Sequence, residues 1–133
     1  MDLNSEISGV DYDRSVAIFD PSHFDGIFDP ENPKGRKALL LDIFALFREE
    51  SGSRVAALES YEGGASDGEL REIIHFISGS AANLGLLRLA ALCRGVEQAI
   101  HEARPFDLEA SRLAVRAQYE AACAAFSEDP LLR

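Results

Sequence analysis

Apolar residues recur at steps of three and four along nearly all of the chain after residue 20. This spacing places them on one face of an α-helix, and no stretch longer than a few residues shows the alternation of a β-strand. The pattern predicts an all-α fold with four substantial helices. Their apolar faces comprise Leu40, Ile43, Phe44, Phe47, Val55, Leu58 and Tyr61; Leu70, Ile73, Ile74, Ile77, Ala81 and Leu84; Leu89, Leu92, Val96 and Ile100; and Leu108, Val115, Tyr119, Ala122 and Phe126.

Residues that favour turns and helix ends separate these four segments. Gly63-Gly64 ends the first, Asn83-Leu84-Gly85 breaks the second, and Arg104-Pro105 ends the third, since glycine and proline both stop helices. Ser66 and Glu69 have the spacing of a capping box at the start of the second helix. Asp107 is the expected N-cap of the last helix.

A shorter helix is predicted before these four. Asp20-Pro21 has the sequence of a helix start, and two prolines between residues 29 and 33 prevent the helix from continuing. We therefore predict an antiparallel up-down-up-down four-helix bundle over residues 19–133, with the short helix lying across one end. Residues 1–18 are expected to form a flexible or loosely packed arm.

The composition narrows the possible functions. The 133 residues carry a net charge of −10, with 23 acidic and 13 basic residues, so nucleic acid and anionic membranes are poor partners. Cys93 and Cys123 are far apart and lack metal-ligand spacing, which favours reduced cysteines in the core. The acidic N-terminus and the lack of a long apolar stretch predict a cytoplasmic protein. No phosphate-binding glycine loop is present, so the sequence does not indicate a nucleotide site.

His75 has an unusual position on the second helix. On a helical wheel it lies opposite the core stripe around Ile73 and Ile77, in line with Gly79 and Ala82. A glycine inside a helix costs about 1 kcal/mol relative to alanine, so small residues here suggest that another molecule approaches the backbone beside the imidazole. The alternative is a surface histidine without a role.

Glu97 is the predicted neighbour of His75. If the second and third predicted helices form a hairpin about residues 83–85, residues whose numbers sum to roughly 170 lie side by side. The Glu97 carboxylate would then accept a hydrogen bond from Nδ1 of His75 and leave Nε2 as the free nucleophile. An ordinary solvated glutamate is equally compatible with this geometry.

Eleven residues beginning at His75 read HFISGSAANLG, and Leu89, Cys93 and Glu97 follow on the next helix. This register is similar to the signature of histidine phosphotransfer (HPt) domains, which has a histidine, two glycines, and a leucine and a cysteine on the following helix. The resemblance implies a four-helix bundle in which His75 is reversibly phosphorylated by aspartyl phosphates of receiver domains. The Mg²⁺ belongs to the receiver, so no cofactor is expected on this chain.

The resemblance also implies roles for neighbouring residues. Position 97 matches a polar residue that hydrogen-bonds the histidine, and Gly79 matches a small residue that lets the receiver come close. Apolar docking residues are expected in the short helix and at the start of the next one, beside a small residue near the histidine. The candidates, each equally compatible with a place in the core, are Phe24, Ile27, Phe28, Leu39 and Ala82. The implied partners are response-regulator receivers and a hybrid histidine kinase, and the chain is expected to be a monomer.

Ser78 departs from the signature, which usually has a lysine at this position. A lysine there would place positive charge near the phosphoryl oxygens, whereas Ser78 offers a hydrogen bond without charge. Arg71, one turn before His75, or Arg94 on the next helix could substitute. We therefore expect a less stable phosphorylated state, or transfer that is biased towards the receiver.

Two other functions compete with phosphotransfer. The missing lysine is compatible with a non-catalytic module that binds receivers without accepting phosphate. Glu72 and His75 have the Glu-x-x-His spacing of di-iron bundles, but a second such unit is absent from the sequence, so no metal site is predicted. Because no ATP-binding motif is present, we expect a phosphotransfer intermediate and not a kinase.

Overall fold

Four α-helices make up most of the structure, a computed structural model that describes residues 6–24, 31, 33–63 and 68–129. A 3₁₀ turn precedes them, and within the described residues no β-strand is formed, which confirms the all-α prediction. None of the helices described is long and apolar enough to cross a membrane. The elements are the 3₁₀ turn Pro21–Phe24, α1 Pro33–Ser60, α2 Gly68–Asn83, α3 Leu87–His101 and α4 Leu108–Ser127.

The core forms where the apolar stripes of the four helices meet. Phe126 of α4 is almost fully buried and stacks on Phe44 of α1, with 4.7 Å between the ring centroids. Phe47 of α1 stacks on Tyr119 of α4 at 5.7 Å. Most residues of the predicted stripes are buried in this cluster. Burying such side chains is worth roughly 1.5–3 kcal/mol each, and this burial holds the four amphipathic helices together.

The turn between α2 and α3 sets how these two helices lie against each other. Gly85 has a φ of 73°, and the amide N–H of Leu86 donates to the Ala81 carbonyl at 2.9 Å. The Gly85 N–H donates to the Ala82 carbonyl at 3.2 Å, which completes a Schellman motif with glycine in the left-handed position. A Cβ at residue 85 would lie 2.6 Å from the backbone oxygen of Asp20. Glycine is thus required both by the turn and by its neighbour.

Residues 6–18 lie within the arm that the sequence predicts to be flexible or loosely packed, and part of this segment packs against the helices. Ile7 and Val10 are each only 6% exposed. The carbonyl of Ser8 accepts a hydrogen bond from the Asp107 N–H at 2.9 Å. Gly95 of α3 makes room for this segment, since a Cβ there would lie 2.5 Å from the carbonyl oxygen of Asp11. These contacts join residues far apart in sequence, so helical periodicity could not predict them.

Small residues in the middle of α1 allow close contacts with α2 and α4. Ser51 is fully buried and donates to the Ser80 hydroxyl at 3.1 Å. The Tyr119 hydroxyl donates to the Arg48 carbonyl at 3.0 Å and lies over Gly52, where a Cβ would be 2.7 Å away from it. These contacts keep α1 continuous and bring its second half beside the helix that carries His75.

Three further helix ends are predicted from the sequence, at Asp107, at Asp20-Pro21 and at Ser66. Asp107 is the N-cap of α4, as predicted, and its side chain accepts a hydrogen bond from the Ala110 N–H at 2.9 Å. The predicted start of the short helix falls on the 3₁₀ turn Pro21–Phe24. The proposed cap Ser66 lies outside the described residues.

Candidate functional site

His75 lies in the middle of α2 with its side chain directed to solvent. The side chain is 74% exposed, whereas its neighbours Ile74 and Ile77 are fully buried. This difference in exposure follows from helix geometry, because residue 75 is out of phase with the apolar stripe that anchors α2 in the core. The imidazole is therefore held on a firmly packed helix and remains accessible to another molecule.

Glu97 of α3 contacts the imidazole. Its Oε2 and Oε1 atoms lie 2.9 Å and 3.1 Å from Nδ1 of His75, and its side chain is only 21% exposed. Because a carboxylate can only accept, the hydrogen bond assigns a proton to Nδ1. In the neutral ring, this leaves the lone pair of Nε2 directed away from α3. The structure thus brings together the two residues that are expected to lie side by side in a hairpin of α2 and α3.

Cys93 lies one turn before Glu97 on α3 and is fully buried. Burial, with a smaller contribution from the Glu97 charge, raises the pKa of its thiol far above the usual range. Cys123 of α4 is half-buried, and burial is also the main cause that raises its pKa. A thiol must ionise to act as a nucleophile, so the fully buried Cys93 serves as a packing group of the core.

Gly79 follows His75 by one turn and is exposed. A Cβ added at this residue would meet no other atom within 4 Å. The fold therefore does not require a glycine here, in contrast to Gly85 and Gly95. The open space beside the imidazole is available to an approaching molecule. Ala82, one turn further on, is half-buried and packs against the core.

Ser78 is only 5% exposed. From the sequence, its hydroxyl is expected to offer a hydrogen bond to a phosphoryl group, but the residue lies inside the protein and not on the exposed face of α2. Residue 78 therefore contributes neither charge nor an accessible hydroxyl beside His75. Any positive charge at the site must come from other side chains.

Two grooves flank the exposed face of α2, and both are lined by arginine. The first has a volume of about 580 Å³ and lies on the α1 side, where it is lined by Arg54, Gly68, Arg71, Glu72, His75 and Phe76. The second measures about 380 Å³ and lies on the α3 side, lined by Arg71, Arg94, Glu97, Gln98 and His101. Arg71 lines both grooves, so the two arginines suggested by the sequence are near the site.

Arg54 is a site residue that sequence reasoning missed. Its guanidinium carbon lies 4.4 Å from the ring centroid of Phe76, the residue after His75. The sequence contains no spacing that links residue 54 to residue 76, because the contact depends on how α1 packs against α2. The aromatic residue beside His75 was the only available signal.

The expected docking residues are only partly described. Leu39 on α1 is 45% exposed. The backbone of Phe24 lies in the 3₁₀ turn, and Ile27 and Phe28 lie outside the described residues. For metal binding, no group of three His, Cys, Asp or Glu side chains is placed to hold an ion within the part of the chain that the structure describes.

The fold and the site together define a helical bundle that presents a solvent-exposed histidine oriented by a carboxylate on the neighbouring helix. A family model described as the Hpt domain matches residues 42–128, which is well over half of the chain, and the chain therefore belongs to this family. This membership connects the protein with phosphotransfer in phosphorelays. The searches of curated proteins and of solved structures found no significant match.

The matched region includes His75, Gly79 and Glu97 and runs from α1 to just past the end of α4. The N-terminal segment and the 3₁₀ turn precede it. The contacts of these two elements with the bundle are therefore features of this chain that the family match does not cover.

Proposed function

We propose that His75 accepts a phosphoryl group from the aspartyl phosphate of one receiver domain and passes it to the aspartate of another. The observation that carries this proposal is the contact of 2.9 Å between Nδ1 of His75 and Glu97, made while the imidazole stays 74% exposed. A nucleophile for a macromolecular donor must be accessible, and its ring must be held in a reactive tautomer.

The transfer needs no proton movement. Nε2 of neutral His75 attacks the phosphorus in line with the bond to the aspartyl oxygen. A P–N bond forms as the P–O bond breaks, and the leaving carboxylate keeps the electron pair. The ring then carries a positive charge with its proton still on Nδ1, where the Glu97 carboxylate stabilises it. The aspartate of the second receiver reverses these steps.

In this proposal the chain is an intermediate and not a kinase, because its sequence contains no ATP-binding motif. The receiver supplies the Mg²⁺ that neutralises the phosphoryl oxygens during transfer. The partners are receiver domains and a hybrid histidine kinase that feeds them. The chain acts as a monomer with the up-down-up-down helix order of an antiparallel bundle.

A second candidate function is receiver binding without phosphoryl transfer. It is favoured by Ser78, which is buried and provides no charge where the family usually has lysine. In this case receiver binding would not depend on the imidazole, and it would survive His75→Gln without any phosphoryl transfer.

Incubation with a phosphorylated receiver tests the first function against the second. We expect an acid-labile phosphate on the wild-type chain and none on a His75→Gln variant. His101→Gln is the matched control, because His101 is also an exposed histidine but is on α3, where it lines only the groove on the α3 side. Equal labelling of His75→Gln would contradict the proposal. An unlabelled wild type that still binds the receiver would support the second function.

A further inference from the structure

We propose that Arg54 of α1, held in place by Phe76, contacts the phosphoryl oxygens carried by Nε2 of His75. In this chain Arg54 supplies the positive charge that the family usually provides by lysine at position 78. The inference rests on the proposed phosphorylation of His75 and goes further, since it identifies which side of the histidine receives the phosphoryl group and which residue binds it.

The orientation of the imidazole indicates on which side of His75 the phosphoryl group lies. Nδ1 and Nε2 are separated by Cε1 and point in widely divergent directions, and Nδ1 is directed at Glu97 on α3. Nε2 consequently points away from α3. In this proposal a phosphoryl group on Nε2 extends into the groove on the α1 side, which is lined by Arg54, Arg71 and His75 itself.

Phe76 positions the Arg54 guanidinium beside this groove. The distance of 4.4 Å from the guanidinium carbon to the ring centroid is that of a cation–π contact. Stacking on the ring restrains the long side chain, and the N–H groups at the edge of the guanidinium stay available. A planar guanidinium can donate two parallel hydrogen bonds to a phosphoryl group.

The other charges near the groove support this assignment. Arg54 and Arg71 form no ion pair with any described residue, although Glu72 lines the same groove and Glu49 and Glu50 line an adjoining one beside Arg54. Arg94 lines the groove on the opposite side of the imidazole, near Glu97. Because the chain carries a net charge of −10, a phosphoryl dianion is stabilised only by cations that lie close to it.

Phosphorus NMR of the phosphorylated chain tests the inference without a receiver. Phosphoramidate, a small phosphoryl donor, transfers its phosphoryl group to Nε2, and its P–N bond breaks as ammonia leaves. The resonance of phosphorylated His75 is identified by its absence in His75→Gln. A cation in contact with the phosphoryl group favours its doubly charged form. We expect Arg54→Gln to lower the second acid dissociation constant of this group about threefold to fivefold.

Three further variants distinguish a direct contact between Arg54 and the phosphoryl group from a general effect of removing a positive charge. Arg54→Lys keeps the charge and should restore most of the wild-type dissociation constant. Phe76→Leu keeps Arg54 but removes its stacking surface, so an intermediate value is expected. Arg48→Gln is the matched control, because Arg48 is also on α1 and over a phenylalanine ring, Phe44, at 5.7 Å, but does not line the groove.

Equal dissociation constants in Arg54→Gln and Arg48→Gln would overturn the assignment of Arg54. This outcome is distinct from a failure of the proposed function. If receivers never label the wild type although phosphoramidate does, the relay function is wrong, and the NMR titration still decides whether Arg54 binds the phosphoryl group.

Discussion

Nδ1 of His75 on α2 and Oε2 of Glu97 on α3 are 2.9 Å apart. The two helices are joined by a turn of three residues, Leu84 to Leu86, so this contact depends on the register that Gly85 sets in the turn. Glu97 is mostly shielded from water, and His75 is mostly exposed. This difference in exposure holds Nδ1 against Glu97 and leaves Nε2 accessible to a partner.

Substitution of Glu97 is expected to slow phosphoryl transfer. Glu97→Gln keeps an oxygen that can accept the Nδ1 hydrogen bond but removes the charge, and Glu97→Ala removes both. A charge-assisted hydrogen bond contributes about 1.5–3 kcal/mol, so we expect transfer from a receiver to slow about tenfold in Glu97→Gln and more in Glu97→Ala. Rapid-quench measurement of labelling gives the rates. Gln98→Ala is the control on the same helix, and an unchanged rate in Glu97→Ala would contradict the orienting role.

Replacement of Gly79 should show whether this residue is needed for folding or for the approach of the receiver. Since a Cβ at residue 79 meets nothing within 4 Å, Gly79→Ala should raise the free energy of unfolding by about 0.8–1 kcal/mol, the difference in helix propensity. Gly79→Gln should also fold but obstruct the receiver, so that transfer falls while phosphorylation by phosphoramidate is unchanged. Urea denaturation and the two labelling assays measure these effects. Unimpaired transfer in Gly79→Gln would show that the space is not used.

A lysine at residue 78 should stabilise the phosphorylated state. Because Ser78 is only 5% exposed, the stem of a lysine there must extend out of the buried position to bring its ammonium group into solvent near His75. We expect Ser78→Lys to shift the transfer equilibrium towards phosphorylated His75 by about fivefold, a typical effect of one partly exposed charge. The lifetime of the phosphohistidine should increase as well. If neither quantity changes, the absence of lysine has no functional consequence.

The packing of the N-terminal segment can be tested at Gly95. A Cβ there would lie 2.5 Å from the backbone oxygen of Asp11, which cannot move without displacing residues 6–18. Despite the better helix propensity of alanine, Gly95→Ala should lower the free energy of unfolding by about 1–3 kcal/mol, the usual cost of overpacking. Denaturant titration beside Gly79→Ala gives a matched comparison. A gain in stability at both glycines would mean that the segment does not pack on α3.

The ion pair between Glu59 and Arg116 predicts a modest dependence of stability on pH. The hydrogen bond from Arg116 is the main cause that lowers the pKa of Glu59 from 4.5, with Nε of Arg116 at 3.1 Å from the carboxylate. A lowered pKa stabilises the folded state above pH 4.5, and this contribution is lost as the pH falls through the lowered value. Both side chains are more than a third exposed. Because solvent screens their charges, the effect of this ion pair on stability is small.

Glu59→Gln should therefore lower the free energy of unfolding by less than about 1 kcal/mol at pH 7. The difference from the wild type should disappear once the pH is below the lowered pKa of Glu59. Urea denaturation at pH 7 and at successively lower pH measures both quantities. A difference that grows in acid would contradict the assignment of this ion pair.

Much of the fold could be predicted because it depends on local patterns. Apolar periodicity predicts the α2 stripe from Leu70 to Ala81, and all of these apolar residues are buried, together with Ser78, which the pattern did not include. His75 was identified because it lies out of phase with this stripe. Glu97 could be predicted as well, since a short turn leaves few ways for two helices to align. These properties follow from helix geometry and from glycine in the left-handed conformation at Gly85.

The sequence by itself thus determined the four helices, the exposed histidine and its carboxylate neighbour. Only the tertiary structure decided that Ser78 is buried, that residues 6–18 pack on α3, and that Arg54 lies over Phe76 beside the imidazole. Each of these depends on contacts between segments whose relative position no helical period encodes. The periodicity shows which face of a helix is buried, and the packing of the other elements decides which side chains meet there.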